Sequence, residues 1–462
     1  MARAAQKRTR TVTPSTTDGA SPNGAKPAQR ERLLRSMMEL ASRHGYPNVS
    51  IAEISTHAGV SSATFYEQFT DKEDCLLAAY QQAAAGVLAR MAPLDASADW
   101  GHASRKLVGD LMDALADDPD AGRVLLVEAL AGGARVRSQR ERTLTAFQVL
   151  AQEFLDAAPR DGKALDLPPD MLLGAIRSIA SHNLRTHSED RAGLLVDDVM
   201  AWIESYAVPA EQKRWSTGAG TLLPARVARQ WLAAATPAPV PQRLPRGRHR
   251  LPQAAVERSQ RTRMIHGTSD VMVARGYAAA TVTDIVSAAG VSRDVFYSHF
   301  ANKYEAYLAA QEYGTQNLLE ACAAAYFTGD SYPERVWLAL QVLVLAVAGN
   351  PGLTHLRVVE CYAAGTAAIE QTEQLKRAAV IFLQEGFTTS PAAARMPRLA
   401  AHAITGAVFE SFYGQASRDE LAELPRQLPL LTYLATAPFI GPKPAITAVE
   451  KLSAQAIRSV PA

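Results

Sequence analysis

The chain of 462 residues is short of cysteine, of net charge, of long apolar runs and of any strand-like alternation, and each shortage removes a class of protein. Three cysteines, Cys75, Cys322 and Cys361, are too few and too scattered for a disulfide framework or a zinc site. Buried filler is the expected role of Cys75. No run approaches the length of apolar residues needed to cross a bilayer, and the polar, basic N-terminus lacks the apolar core of a signal segment. The expectation is a cytoplasmic protein that engages no membrane. A net charge of +2 says little about partners. Catalytic signatures are missing too: there is no phosphate-binding glycine loop, no His-Glu-x-x-His helix, no Gly-x-Ser-x-Gly elbow, and no histidine pair at metal spacing on one helix. The sequence therefore reads as a non-enzyme without cofactor or metal.

What the chain does contain is a pattern used twice, 231 residues apart and aligned without gaps. Gly45-Tyr46, Ile54, Ala58-Gly59-Val60-Ser61, Phe65-Tyr66, Phe69 and Lys72 recur as Gly276-Tyr277, Ile285, Ala289-Gly290-Val291-Ser292, Phe296-Tyr297, Phe300 and Lys303. Between 29–72 and 260–303 there are 14 identities in 44 positions, and a spacing this long implies two copies of a domain rather than a solenoid. Further matches at a spacing of 232 extend the duplication: Asp118-Pro119 with Asn350-Pro351, Val127-Glu128 with Val359-Glu360, Gln152-Glu153 with Gln384-Glu385, and Gly174-Ala175 with Gly406-Ala407. The common offset argues that a unit of roughly 180 residues was copied whole.

Charge is unevenly placed. Residues 1–35 hold eight basic side chains against two acidic ones, and residues 243–263 hold seven against one, so a basic arm precedes each copy. Two arms in equivalent places favour phosphate contacts over a merely solvated linker. Residues 1–27, rich in Ser, Thr, Pro, Gly and Ala, are expected to be disordered. From about residue 30 the apolar residues recur at helical spacing and period-two strands are absent, so the fold is expected to be all-α.

Each repeated segment reads as a helix-turn-helix. In the first, Arg32 to Ser42 carries an apolar stripe and His44-Gly45 ends the helix. Ser50 caps a second helix and closes a box with Glu53; Gly59 makes the turn, and Ser61 caps a third helix whose Phe65 and Phe69 face inward. Thr281 with Asp284, Gly290 and Ser292 repeat these roles. A third helix fixed by a small core is what a major-groove reader requires.

With Gly-Val-Ser-x-x-x-x-Tyr-x-x-Phe-x-x-Lys preceded by two such helices, both segments resemble the N-terminal DNA-binding domain of the tetracycline-repressor (TetR) family of bacterial regulators. The resemblance implies that Ser50, Thr281, Tyr66, Tyr297, Lys72 and Lys303 bind backbone phosphates, with the lysines aimed at the duplex. It gives base reading to Ser62, Ala63, Thr64 and Gln68 in one copy and to Arg293, Asp294, Val295 and His299 in the other. Arg293 suits guanine and Gln68 adenine. Asp294 departs from the family's usual small residue, and phosphates repel it unless it accepts from a cytosine amino group.

The resulting organisation is a basic arm (1–27), a first reading domain (28–76), a helical regulatory domain (77–210), a Pro/Arg-rich linker (211–254) with a short helix around 222–235, a second reading domain (255–307), a second regulatory domain (308–440) and a tail (441–462). By resemblance the regulatory domains hold an effector pocket and a dimer-forming helix pair. Leu126, Phe147, His182, Trp337, His355, Tyr362, Phe409 and Tyr413 are candidate lining for a small apolar or aromatic effector, although aromatics at helical spacing are more often core. Leu172, Gly174, Ile176 and Ile179, with Ile404, Gly406, Val408 and Ser411, have the small, apolar character of a close helix interface. The expected function is a ligand-responsive repressor, nucleoid-associated when on double-stranded operator DNA. Its two unlike heads act within one chain or in a homodimer. A small-molecule or protein-binding scaffold with decayed reading heads is the alternative.

Overall fold

The computed structural model describes residues 22–91, 100–157, 163–186, 192–210, 233–235, 239–242 and 251–458. The remainder of the basic arm, most of the linker, including all but residues 233–235 of its expected helix, and the chain end lie outside the described residues.

The first head begins with α1 (Pro22–His44), ten residues before the expected start, so the last residues of the segment expected to be disordered are helical. Ala28 to Glu31 are good helix formers, whereas Pro22, Asn23, Gly24 and Pro27 are not; the Arg30 guanidinium lies 4.6 Å from the centre of the Phe69 ring. Leu33, Leu34, Met37, Met38 and Ala41 form its buried stripe. Gly45 then turns with φ 79°, a conformation that glycine adopts without steric cost. The short α2 (Ile51–His57) and α3 (Ser62–Gln68) follow, both starting at serine caps. The next helix, α4 (Lys72–Arg90), runs through the expected boundary at 76 and joins head to body without a break.

The first body contains α5 (Trp100–Asp117), α6 (Pro119–Leu126), a 3-10 turn (Glu128–Ala131), α7 (Ala134–Asp156), α8 (Pro169–Thr186) and α9 (Ala192–Glu204). It also holds two three-residue strands, β1 (Lys163–Leu165) and β2 (Ala207–Pro209), paired antiparallel. These are a small departure from the all-helical expectation, too short to leave a period-two signal.

The second half repeats this order. Its head has α10 (Gln253–Ala279), broken at Gly276 with φ 72°, then α11 (Val282–Ala289) and α12 (Arg293–His299). Where the first half has one long α4, the second has α13 (Lys303–Glu312) and α14 (Thr315–Tyr326), separated at the left-handed Gly314. Then come α15 (Tyr332–Gly349), α16 (Pro351–His355), a π-helical turn (Leu356–Glu360), α17 (Cys361–Ala364), α18 (Thr366–Ala379), α19 (Leu399–Ser417), α20 (Leu428–Ile440) and α21 (Pro442–Arg458). Among the described residues α15 is the one helix long and apolar enough to span a bilayer by composition, and half of it is buried inside the protein.

The halves meet through equivalent helices. α8 packs along α19, and the duplicated glycines make the approach reciprocal. A Cβ on Gly174 would stand 2.6 Å from the Glu410 Cβ, and one on Gly406 would stand 2.2 Å from the Ser178 Cβ. Position 178 corresponds to 410 at the offset of 232, so each glycine faces the counterpart of the other's neighbour. Around this crossing one apolar core is continuous between the halves. Tyr206 lies against Tyr433 with ring centres 6.0 Å apart, and its hydroxyl donates to the Leu434 carbonyl at 2.8 Å.

Candidate nucleic-acid interface and effector cavities

The reading helices are held by local chemistry. The Glu53 amide donates to Ser50 Oγ at 3.2 Å, and Glu53 Oε2 accepts from the Ser50 amide at 2.8 Å. Thr281 and Asp284 form the same box, with distances of 3.2 and 3.0 Å. The serine and threonine bonds hold both box carboxyls below the usual range. Ser61 Oγ accepts the Thr64 amide at 3.1 Å and Ser292 Oγ accepts the Val295 amide at 3.3 Å, fixing the start of each third helix.

Phe65 and Phe296 are fully buried, while Tyr66 and Tyr297 beside them are 59% and 54% exposed. Large aromatic side chains held this far out on a helix with a fixed inner face are available to a partner. Ser62 and Ala63 are exposed, and Thr64 and Gln68 are half-buried; in the second head Arg293 and Asp294 are exposed, and Val295 and His299 half-buried. None of the eight is buried in the core that holds Phe65 or Phe296. Arg293 Nη2 donates to Thr283 Oγ1 at 2.5 Å, which steadies the guanidinium. Burial, followed by the nearby Arg261 charge, lowers the His299 pKa, favouring a neutral ring.

Several expected phosphate contacts are differently employed. Lys72 Nζ donates to the Tyr46 and Val49 carbonyls at 3.0 and 2.8 Å and lies 4.3 Å from the Tyr46 ring centre. Lys303 repeats this with the Tyr277 and Ala280 carbonyls at 2.7 and 2.9 Å and the Tyr277 ring at 4.2 Å. Burial lowers both ammonium pKa values. In this structure these lysines close the turn after the first helix. The Ser50 and Thr281 hydroxyls are exposed but give their protons to the box carboxylates at 2.7 and 2.6 Å.

Each body grips its head at the same place. Glu128 Oε2 accepts the Tyr46 amide and Glu360 Oε2 accepts the Tyr277 amide, at 2.8 and 2.6 Å. Both carboxylates are buried. Glu128 is also paired with Arg123 at 3.1 Å, whereas the equivalent residue in the second half, His355, stands 3.5 Å from Glu360.

The bodies hold two cavities at equivalent positions but of unlike chemistry. The second-half cavity, about 380 Å³, lies among α13, α14, α15, α18 and α19, with Leu318, Leu343, Phe382 and Phe409 supplying apolar wall and Gln311 and Arg357 polar points. The first-half cavity, about 620 Å³, opens onto the crossing and is walled by Leu111, Leu126, Phe147 and, from the second half, Tyr413. Here Arg140 Nη2 meets Glu410 Oε1 at 3.0 Å, and Arg177 bonds the other carboxylate oxygen. Burial alone would raise the Glu410 pKa, yet Arg177 and Arg140 together bring it down to about 2.

Of the expected lining residues, Leu126, Phe147 and Tyr413 border the first-half cavity and Phe409 the second. Tyr362 borders only a small gap between the halves, beside Arg177. Trp337 is buried core, and His355 is turned to the Ala416 carbonyl at 3.3 Å and to Glu360, so neither borders a cavity. His182 is on α8, and its side chain lies outside the described residues. Sequence reasoning missed Arg140, Arg177, Glu410, Gln311 and Arg357, whose roles arise from partners far along the chain.

Two exposed, rigidly capped third helices on small helical cores, each tied to a larger helical body, define a protein with two helix-turn-helix heads. Residues 33–79 and 265–310 each match the model for bacterial regulatory proteins of the tetR family. The chain thus carries two copies of the DNA-binding domain that this family model describes. A curated relative, the HTH-type transcriptional activator FasR of Mycolicibacterium smegmatis, is 27% identical over 169 residues. That match covers 37% of this chain and 66% of the relative, just under two thirds of its length. Similar solved structures include the fatty acid degradation regulator FadR of Bacillus halodurans, with 18% identity, a TM-score of 0.33, and coverage of 38% of this chain and 94% of that one. FadR of Bacillus subtilis, solved with stearoyl-CoA, has 16% identity, a TM-score of 0.33, and coverage of 37% and 96%.

Proposed function

We propose that the two halves act together as a covalent counterpart of a repressor dimer, presenting two unlike reading heads to one operator and answering to a small effector bound in the bodies. The observation that carries this reading is the reciprocal crossing of α8 and α19, in which Gly174 and Gly406 each accept the neighbour of the other. Pairing of equivalent surfaces is how two-fold dimers are built, and operator symmetry follows protein symmetry. Because Ser62-Ala63-Thr64 differs from Arg293-Asp294-Val295, the two half-sites differ as well. Tyr66, Tyr297 and the base-facing residues named above make the contacts, in a cytoplasmic, nucleoid-bound setting.

Selection of bound sequences from a random duplex pool tests this directly, together with the molar mass of the complex. One chain on an unsymmetrical site is the expected result. Recovery of a perfect palindrome bound by two chains would replace it with a homodimer that uses one head from each chain. The direction of control, repression or activation, is read from expression of the neighbouring gene with and without the protein.

A further inference from the structure

We infer that the second-half cavity is a site for an amphiphilic anion, an apolar body with a negatively charged head group held by Arg357, and that the first half has no such site. This deepens the effector-responsive reading above and rests on it.

The wall of the second-half cavity is mainly aliphatic and aromatic, which sets the apolar body of the ligand. Into it reaches Arg357. Its Nε donates to the Gln311 carbonyl at 2.7 Å and its Nη2 bonds the Tyr313 carbonyl, both at the C-terminal end of α13. These two bonds leave three of the five guanidinium N–H groups unused. No carboxylate among the described residues stands within ion-pair distance of Arg357. Glu312, the one acidic residue bordering the cavity, is exposed at its rim. A guanidinium enclosed by apolar wall without a counter-ion is costly, and an anion entering the cavity relieves that cost. Burial already draws its pKa down to about 10.

The first half shows the contrast. The residue equivalent to Arg357 is Leu125, and of the three arginines that border that cavity, Arg140 and Arg177 share the carboxylate of Glu410 while Arg418, at the rim, pairs with Glu420. Each of the three thus has a carboxylate partner within the protein, which Arg357 lacks among the described residues. A second feature of the second-half cavity points to a ligand independently. Gln311 donates its amide Nε2 to the Ala368 carbonyl and to Thr372 Oγ1 at 2.7 and 2.9 Å, which fixes the amide orientation and leaves Oε1 buried with no donor. Gln371 Oε1, also in the lining, is likewise buried and unanswered. A ligand hydroxyl or amide satisfies these oxygens.

Arg357 lies on the π-helical turn Leu356–Glu360, the same turn whose last residue holds the Tyr277 amide of the second head. Such turns are uncommon and recur at functional sites. Drawing Arg357 toward an anion therefore acts three residues away on the grip of the body on its head. The first head, held by Glu128 and its permanent partner Arg123, is not addressed by this route.

The test is titration calorimetry of the full chain with decanoate and with decan-1-ol, which differ only in the head group. The expected result is one decanoate per chain, bound about tenfold or more tighter than the alcohol. In Arg357→Leu the preference falls to within about threefold, while Arg357→Lys keeps most of it and thermal melting reports that each variant is folded. Equal affinity in the native protein, tighter binding of the alcohol through the glutamine oxygens, no binding of either, or an undiminished preference in Arg357→Leu would each overturn the inference. A gel shift of the unliganded protein on its selected operator is run alongside. Operator binding with no anion preference sinks this inference alone, whereas loss of operator binding sinks the functional reading beneath it.

Discussion

The backbone N–H of Tyr46 donates to Glu128 at 2.8 Å across 82 residues of chain. The same bond recurs between Tyr277 and Glu360 at 2.6 Å. The tyrosine amide follows the glycine that ends the first helix of the head, and the tyrosine carbonyl is held from the other side by Lys72 or Lys303. One residue thus joins the first helix, the fourth helix and the body. Four repeated sequence features, Gly45, Tyr46, Lys72 and Glu128, are parts of a single joint.

That joint gives a stability prediction. Glu128→Ala leaves the Tyr46 amide unsatisfied and Arg123 without its partner, at a cost of about 3 kcal/mol. Thermal melting checks this. Glu128→Gln, which keeps an acceptor, is expected to lose less than half as much.

Lys72 and Tyr66 separate a structural from a DNA-contacting role. Lys72→Met removes the ammonium from its carbonyls and is expected to lower stability by about 1–3 kcal/mol while leaving the salt dependence of operator binding unchanged. Tyr66→Phe is expected to do the reverse, weakening operator binding several-fold with no change in melting temperature. A salt slope reduced by Lys72→Met would return that lysine to the phosphate backbone.

The crossing of the halves predicts a response to a single methyl group. Gly406→Ala sets a Cβ 2.2 Å from Ser178, and Gly174→Ala sets one 2.6 Å from Glu410. Overpacking of this kind costs about 1–3 kcal/mol. Both variants are expected to melt earlier, Gly406→Ala by more, and to lose cooperativity between the two heads on DNA.

Glu410 predicts an acid dependence. Its pKa lies near 2 in the folded protein against an ordinary 4.5, so its contribution is fully present above about pH 4.5 and is lost as pH falls toward 2. Stability measured between those limits should decline steeply, and Glu410→Gln should flatten the curve while lowering stability throughout, since two enclosed arginines are left unanswered. An unchanged acid profile in that variant would assign the decline to other carboxylates.

How much of this was legible in the sequence follows from the reach of each interaction. Ser50, Ser61, Thr281 and Ser292 act on amides three residues away, so caps and turns were readable in order, as were the inward Phe65 and Phe296. The roles of Lys72 and Lys303 were not, because their carbonyl partners lie 23 to 26 residues back, in a turn that only the folded head assembles. Glu128 and Glu360 were visible as a repeat, but nothing local says that a buried carboxylate will meet an amide more than 80 residues away. Arg140 and Glu410 are separated by 270 residues, and their pairing depends on how the halves dock. His355 and Trp337, chosen for their chemistry as pocket residues, turned out to be a partner of Glu360 and a piece of core.

The Glu410 pair also bears on which partners the halves accept. At the offset of 232 the counterparts of Arg140 and Arg177 are Thr372 and Phe409, and that of Glu410 is Ser178. A symmetric pair of second halves would bring two carboxylates to the crossing with no cation, and a symmetric pair of first halves would bring four guanidiniums with no anion. Either like-with-like union would bring charges of one sign together, while the mixed one sets a carboxylate between the two guanidiniums. The halves have divided an ion cluster between them, so at this crossing each half is matched to the other better than to its own copy.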